Sequence, residues 1–200
     1  MTEATGPLHP IQLIVGLGNP GSEYAATRHN AGVWFVESLA EQYDCQFRTE
    51  NKLKGLLSRF TEDGREARLL VPTTFMNHSG MAVKAVMQFY KIPPQAILVA
   101  HDELDLPTGT MRFKQGGGHG GHNGLRDIIT QIGSRDFARL RIGVGRPDSS
   151  EETVNYVLKK PSLTDKQQIF NGIDEARALM TQLLQGDLQG AMHILHTSTG

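Results

Sequence analysis

His29 and Asp102 are the side chains in this 200-residue chain whose types and placement best suit acid–base chemistry. His29 stands directly before a predicted helix, and Asp102 directly follows a predicted buried strand. A carboxylate that accepts a hydrogen bond from one imidazole nitrogen fixes the tautomer and raises the basicity of the other nitrogen. A histidine held in this way can remove a proton from water near neutral pH. Because a lone histidine is more often structural, this hypothesis depends on a fold that brings the two residues together.

Other ways of making a nucleophile have less support in the sequence. The chain contains no G-x-S-x-G elbow for a serine nucleophile, and Cys45 has no histidine near it in sequence. His119 and His122 form an H-x-x-H pair, to which residues 101–103 (His-Asp-Glu) could add metal ligands. However, the glycines around the pair leave it without fixed geometry, and H-E-x-x-H is absent. Water is therefore the expected nucleophile, with neither a metal nor another cofactor.

Two glycine-rich segments invite a nucleotide or phosphate interpretation. Residues 16–21 fit G-x-G-x-x-G after a strand, as in dinucleotide-binding enzymes. Pro20 interrupts that turn, and residues 22–30 separate it from the next helical pattern, so we expect a tight loop that directs Asn19 into a cleft. Residues 116–124 contain six glycines, whose amides can approach a phosphate or ribose, although a mobile surface loop fits the pattern too. Asn123, at the end of this segment, is a candidate helix N-cap.

The elements that must position these residues alternate between strands and helices. Apolar runs predict strands at residues 11–17, 96–100, 111–113 and 138–144, with a hairpin formed by 56–60 and 67–71. Helical spacing predicts helices at residues 30–43, 79–90 with Ser79 as the N-cap, 125–132, 153–158 and 165–184. This order indicates a single α/β domain with a mixed central β-sheet flanked by helices, to which the β-hairpin contributes. Ligands bind beyond the carboxyl ends of strands in such sheets, so residues 18–20 and the His101–Asp102 pair are expected to meet in one crevice.

Charge and length narrow the class of protein. The net charge is -1, yet residues 111–146 hold seven basic side chains against two acidic ones. Such an uneven distribution favours a face that attracts a polyanion, although ordinary solvated arginines give the same count. The single cysteine, Cys45, excludes an intramolecular disulfide and favours a reduced, cytoplasmic location. Residues 1–10 lack the features of a signal peptide and are predicted to be a disordered leader before a domain at 11–200, and no apolar run has membrane-spanning length.

Six segments in unbroken order over about residues 11–190 resemble the bacterial-type peptidyl-tRNA hydrolase family. They are residues 15–21 (VGLGNPG), 24–32 (YAATRHNAG), 72–80 (PTTFMNHSG), 101–105 (HDELD), 116–125 (GGGHGGHNGL) and 139–143 (RLRIG). The resemblance implies a monomeric α/β enzyme without a cofactor, which cleaves the ester between a peptide and the terminal ribose of tRNA. Such cleavage recycles tRNA after aborted translation.

The resemblance also implies roles for individual residues. His29 corresponds to the general base and Asp102 to its orienting partner, and Asn19 and Asn77 correspond to asparagines that order the histidine and hold the peptide. The implied substrate-binding residues are Tyr24, Phe75, Met76, Asn77, His122 and Asn123. Lys114 and Arg141 match basic positions implicated in tRNA binding. Two other hypotheses stay open: an RNA-binding module that has lost catalysis, and a nucleotide-dependent oxidoreductase or metallohydrolase.

Overall fold

The computed structural model describes residues 9–149 and 152–198. Its strands are β1 Leu13–Gly16, β2 Arg48–Glu50, β3 Gly55–Glu62, β4 Arg65–Pro72, β5 Ile97–Glu103, β6 Met111–Gln115 and β7 Ala138–Gly143. Its α-helices are α1 Ala31–Gln42, α2 Ser79–Tyr90, α3 Asn123–Ile132, α4 Thr153–Val157, α5 Leu163–Arg177, α6 Met180–Leu184 and α7 Leu188–Thr197. Most of the predicted leader, residues 1–8, lies outside the described residues.

Within the described ranges the strands form one mixed sheet of seven, in the order β2-β3-β4-β1-β5-β7-β6. The central strand β1 runs parallel to β4 and β5, and β5 runs parallel to β7. The β3–β4 hairpin and the β6–β7 pair are antiparallel. The predicted fold class, a mixed sheet to which a hairpin contributes, is confirmed.

Helices cover both faces of this sheet, because neighbouring residues of a strand point to opposite faces. On β1, Ile14 packs into a core with α1, α5, α6 and α7. Its neighbours Leu13 and Val15 pack into a second core with α2 and α3. Burial on both faces explains why β1 and residues 97–100 of β5 are continuously apolar in sequence.

Close packing between α1 and the sheet brings His29 to the strand ends. A Cβ on Gly32 would lie 2.2 Å from the carbonyl oxygen of Ala100, and one on Gly16 would lie 2.5 Å from the carbonyl oxygen of Gly32. Both positions therefore require glycine. The glycines of the G-x-G pattern thus let a helix approach the sheet, and they give no support to the dinucleotide interpretation.

Several predicted boundaries were wrong. β5 extends through Glu103, so Asp102 belongs to the strand end. Ser79 is the first residue of α2 and its hydroxyl donates to the carbonyl of Met76, so it is not the N-cap. The helix predicted at residues 165–184 divides into α5 and α6, because the amide of Leu179 bonds back only three residues, to Ala176. The buried spacing continues across this break, so periodicity could not show it.

Two elements were missed in sequence. The exposed edge strand β2 carries only polar residues (Arg-Thr-Glu) and therefore has no apolar alternation. The C-terminal helix α7 begins after Asp187, whose carboxylate accepts from the amide of Gly190. In the part of the chain that the structure describes, no helix combines the length and the hydropathy that a membrane span requires.

Candidate active site

A cleft of about 450 Å³ opens beyond the carboxyl ends of β1 and β5. The residues from β1 to α1, the segment before α2, the end of β5, residues 119–123 and α4 all contribute to its walls. Eight of the eleven residues to which the family resemblance gives a role line it: Asn19, His29, Phe75, Met76, Asn77, Asp102, His122 and Asn123. The remaining three, Tyr24, Lys114 and Arg141, lie outside its lining. The topology therefore brings together residues that are dispersed over more than half of the chain.

His29 and Asp102 are in direct contact at the base of this cleft. Nδ1 of His29 lies 2.9 Å from Oδ2 and 3.0 Å from Oδ1 of Asp102. A 3₁₀ helix, Arg28–Asn30, carries the histidine into α1, and β5 carries the carboxylate. Because an ionised carboxylate can only accept, Nδ1 must hold the proton that it donates. Nε2 is then the unprotonated nitrogen, and it is the one available to the cleft.

His122 is a second donor to the same carboxylate. Its Nε2 lies 2.8 Å from Oδ1 of Asp102. Its Nδ1 accepts from the backbone amides of Gly124 and Leu125, at 3.1 and 3.4 Å, and so caps α3. Accepting at Nδ1 places the ring proton on Nε2, which donates to Asp102. The N-cap of α3 is thus His122, and Asn123, the sequence candidate, is the first helical residue.

The electrostatics of the cluster keep Asp102 ionised and His29 basic. Burial alone raises the pKa of the Asp102 carboxyl, but His29 and His122 outweigh it and hold that pKa well below its usual range. Burial lowers the pKa of His29, but the adjacent carboxylate reverses this and raises that pKa above its ordinary value of 6.5. The Asp102 side chain is only 3% exposed, so its charge acts on His29 with little screening by water.

A third histidine, His101, lies behind the cluster. It is 2% exposed, and its Nδ1 donates to the carbonyl of Asp102 at 2.9 Å. Burial and the neighbouring His122 lower its pKa to about 3. The ring is therefore neutral at physiological pH.

Asn19 is fixed by two sets of hydrogen bonds. The side chain of Asn30 accepts from the backbone N–H of Asn19 at 2.9 Å and donates to the backbone carbonyl of Asn19 at 3.0 Å. The Asn19 side-chain oxygen accepts from the backbone amide of Met76 at 2.8 Å. This contact joins the loop after β1 to the segment that carries Asn77. Asn30 was missed in sequence, although its place immediately after His29 was a usable signal.

The remaining residues predicted to bind substrate differ in how they are held. Asn77 is exposed within the cleft. The side-chain oxygen of Asn123 accepts from Arg126 at 3.2 Å, which leaves its amide protons free to donate. Tyr24 does not line the cleft but packs edge-on against Phe75, with ring centroids 6.3 Å apart.

The basic residues lie beside the cleft. Lys114 is exposed on β6, and its side chain folds over Gly117. Nε of Arg141 donates to Glu103 at 3.0 Å, so part of its charge is already neutralised. Arg139, which lies opposite Lys114 on β7, is buried and donates to the carbonyls of Gly117 and Gly118. The predicted basic stretch is thus divided into exposed and buried arginines.

His29, Asp102 and His122 also have the geometry of a possible metal site, with one ligand atom from each lying within 4.8 Å of the others. Both nitrogens that face the carboxylate donate hydrogen bonds to it, however. A cation would have to replace two protons and separate these groups. Without a cation, the Asp102 carboxylate already has two hydrogen-bond donors, and this arrangement suits a general base.

Comparison with known proteins places this site in a family. The family model described as peptidyl-tRNA hydrolase matches residues 13–199. The chain belongs to the peptidyl-tRNA hydrolase family. It is 54% identical to the peptidyl-tRNA hydrolase of Tolumonas auensis and 56% identical to that of Alcanivorax borkumensis, in each case over 94% of this chain and 96% of the relative.

Solved structures agree with this membership. The crystal structure of peptidyl-tRNA hydrolase from Acinetobacter baumannii is similar with a TM-score of 0.91 and 48% identity, covering 95% of this chain and 96% of that one. Purine nucleoside phosphorylase from Toxoplasma gondii, at 9% identity and a TM-score of 0.51, shares the fold alone. The family and enzyme class predicted from the motifs are confirmed.

Proposed function

We propose that this protein hydrolyses the ester bond between the peptide and the terminal ribose of peptidyl-tRNA, using a water molecule activated by His29. The observation that carries the proposal is the pairing of His29 Nδ1 with the buried Asp102, which leaves Nε2 as the basic nitrogen of the cleft. Family membership supports the choice of substrate.

In the proposed reaction, Nε2 of His29 takes a proton from water as the water oxygen bonds to the ester carbonyl carbon. Asp102 stabilises the imidazolium that forms. The tetrahedral intermediate then collapses as the carbon–oxygen bond to the ribose breaks, and the proton on Nε2 passes to the ribose oxygen. The products are a peptide with a free carboxyl group and a tRNA with a free terminal hydroxyl. No covalent intermediate with the protein is required.

The asparagines of the cleft suit a peptide. An asparagine side chain both donates and accepts while remaining neutral, which matches a backbone amide. We propose that Asn77 and Asn123 bind the peptide next to the ester, and that Asn19 positions Asn77 through Met76. A free α-amine would leave these groups without matching partners, so we expect aminoacyl-tRNA to be a poor substrate.

The exposed Lys114 and the partly buried Arg141 are proposed to contact tRNA phosphates, because they lie on the neighbouring strands β6 and β7 beside the cleft. We further propose that the protein acts as a monomer in the cytoplasm, where its substrate arises and where its single Cys45 would stay reduced.

The test uses N-acetyl-aminoacyl-tRNA beside its unacetylated counterpart. The enzyme, rather than the tRNA, is treated with a chelator and desalted before assay. We expect hydrolysis of the acetylated substrate alone, with no loss after chelation. Binding of tRNA without hydrolysis would instead indicate an RNA-binding module, and activity lost to the chelator and restored by a metal would indicate a metallohydrolase.

A further inference from the structure

The glycine loop, residues 116–121, has little packing of its own. Gly116, Gly117, Gly120 and Gly121 adopt positive φ angles of +65°, +104°, +57° and +84°, which other residues rarely adopt. Cβ atoms added at Gly118, Gly120 and Gly121 would find no atom within 4 Å. Glycine also loses more conformational freedom on folding than any other residue. This loop therefore depends on hydrogen bonds to hold its shape.

Three anchors connect the loop to the rest of the molecule. At its start, the amide of Gly116 donates to the carbonyl of Phe137 at 2.9 Å. Just after its end, His122 donates to Asp102. Between them, Arg139 donates from Nη1 to the carbonyl of Gly118 and from Nη2 to that of Gly117, the latter at 2.6 Å. The guanidinium thus fixes two consecutive peptide groups with its planar fork.

Arg139 is unusual for a charged residue in its degree of burial. It is 2% exposed and lies 4.6 Å from the centroid of the Phe137 ring. Among the described residues no carboxylate forms an ion pair with it, and its Nε has no hydrogen-bond partner. Burial, together with Arg135 and Arg141, lowers its pKa to about 10. Burying a cation without a carboxylate partner is costly, and here two loop carbonyls and the Phe137 ring offset that cost.

We propose that Arg139 is a positioning residue for the active site. By holding the carbonyls of Gly117 and Gly118, it sets the path of the glycine loop so that His122 meets Asp102 and Asn123 faces the substrate. This inference rests on the proposed function, because it assigns Arg139 a part in the same reaction. A displacement of about 1 Å at such a site can lower a rate by roughly 10²-fold.

This role differs from that of the exposed basic residues. A buried guanidinium whose fork is occupied by two carbonyls is not available to a phosphate. Removing Arg139 should therefore lower kcat without changing the dependence of tRNA binding on salt. Removing Lys114 should do the opposite, because it is exposed on the outer side of the same loop.

The experiment compares the Arg139→Met and Arg139→Lys variants with Arg135→Met, a matched control that removes an exposed arginine from the same segment. Three quantities are measured: kcat on N-acetyl-aminoacyl-tRNA, the thermal midpoint, and the ring N–H signals of His29 and His122 in ¹⁵N-histidine-labelled protein. The N–H signals are recorded without substrate. If wild-type protein does not hydrolyse the substrate, the proposed function fails while the signals still test the inference.

For Arg139→Met we expect kcat to fall about 10- to 100-fold, with a thermal midpoint near that of the wild type. The His122 Nε2–H signal should be lost while that of His29 persists, and Arg139→Lys should be intermediate because one ammonium replaces a planar fork. Arg135→Met should match the wild type. The inference is overturned if Arg139→Met keeps both the wild-type kcat and the wild-type His122 signal. If Arg139→Met does not fold, the same result in Arg139→Lys overturns it.

Discussion

Two hollows of almost equal size lie at opposite ends of α2. The cleft, about 450 Å³, lies beside Met76 and Asn77, just before the helix begins. The second hollow, about 410 Å³, is lined by Arg48, Arg59, Arg68 and Tyr90, the last residue of the helix. A helix of 12 residues separates them by about 18 Å. Their volumes would not tell an active site from an ordinary surface depression.

The two hollows differ in how deeply their charged groups are buried and in whether a basic atom remains without a hydrogen-bond partner. In the second hollow, Arg59 and Arg68 share Glu66, at 3.5 and 2.7 Å, and the guanidinium of Arg68 stacks 3.9 Å above Tyr90. One carboxylate thus serves two exposed or half-exposed guanidinium groups, and water screens the charge that remains.

In the cleft, the buried Asp102 is ionised by two histidine donors, and one basic nitrogen, Nε2 of His29, is left over. We therefore attribute catalysis to this buried carboxylate and the unpaired nitrogen beside it, rather than to the volume of the cleft.

The strongest way to break the comparison is to remove the base. His29→Ala should lower kcat by about 10²–10⁴-fold, the usual contribution of a general base. Turnover of N-acetyl-aminoacyl-tRNA by the purified variant measures this, and binding of tRNA should persist. Turnover near that of the wild type would show that the cleft works in another way.

Asp102→Asn should have the next largest effect. An amide can still accept from Nδ1 but carries no charge, so kcat should fall by roughly 10²-fold. The carboxylate raises the pKa of His29, so its loss should move the acidic limb of the kcat/KM profile to lower pH. The limb is read from initial rates at a series of pH values. A limb that stays in place or moves upward would contradict the proposed pairing.

Lys114→Ala and Arg141→Ala should act on binding rather than on chemistry. Each lost phosphate contact should weaken tRNA binding and reduce the slope of log K against log salt by about 1. The effect of Arg141 should be the smaller, because Glu103 already pairs with it. Hydrolysis of a small N-acyl aminoacyl ester is the control and should be almost unchanged. Unaltered salt slopes in both variants would remove these residues from the tRNA-binding surface.

The smallest effect is expected in the second hollow. Arg48→Ala should leave kcat/KM on N-acetyl-aminoacyl-tRNA within about twofold of wild type, as for most exposed substitutions. The salt slope should also be unchanged. A clear loss in either measurement would mean that the second hollow takes part in substrate binding and that the comparison is wrong.

Much of the fold and of the cleft could be predicted from the sequence. The strand patterns at residues 56–60 and 67–71 predicted the hairpin, and continuous apolar runs predicted β1 and the first part of β5. Since ligands bind beyond the carboxyl ends of such strands, topology predicted that residues 18–20 and the His101–Asp102 pair meet in one crevice, but it did not show that His29 touches Asp102. Their roles came from family motifs.

The rest depends on contacts that local patterns do not encode. His122 was considered as one half of an H-x-x-H pair, but it caps α3 and donates to Asp102. Histidine is not a favoured N-cap residue, and Asn123 beside it was the better candidate on propensity. Arg139 alternates with apolar neighbours along β7 and so appears solvent-facing in sequence. Its burial depends on the glycine loop, whose path requires positive φ angles and tertiary hydrogen bonds.

The central claim is that His29, held by Asp102, is the base that activates water. Its most direct test compares the pKa of His29, measured from its ¹⁵N ring signals in the free protein, with the acidic limb of kcat/KM, which reports the free enzyme. The account predicts a proton on Nδ1 in the neutral ring, a pKa above 6.5 and coincidence of the two values. A proton on Nε2 in the neutral ring, or a limb that titrates apart from His29, would contradict it.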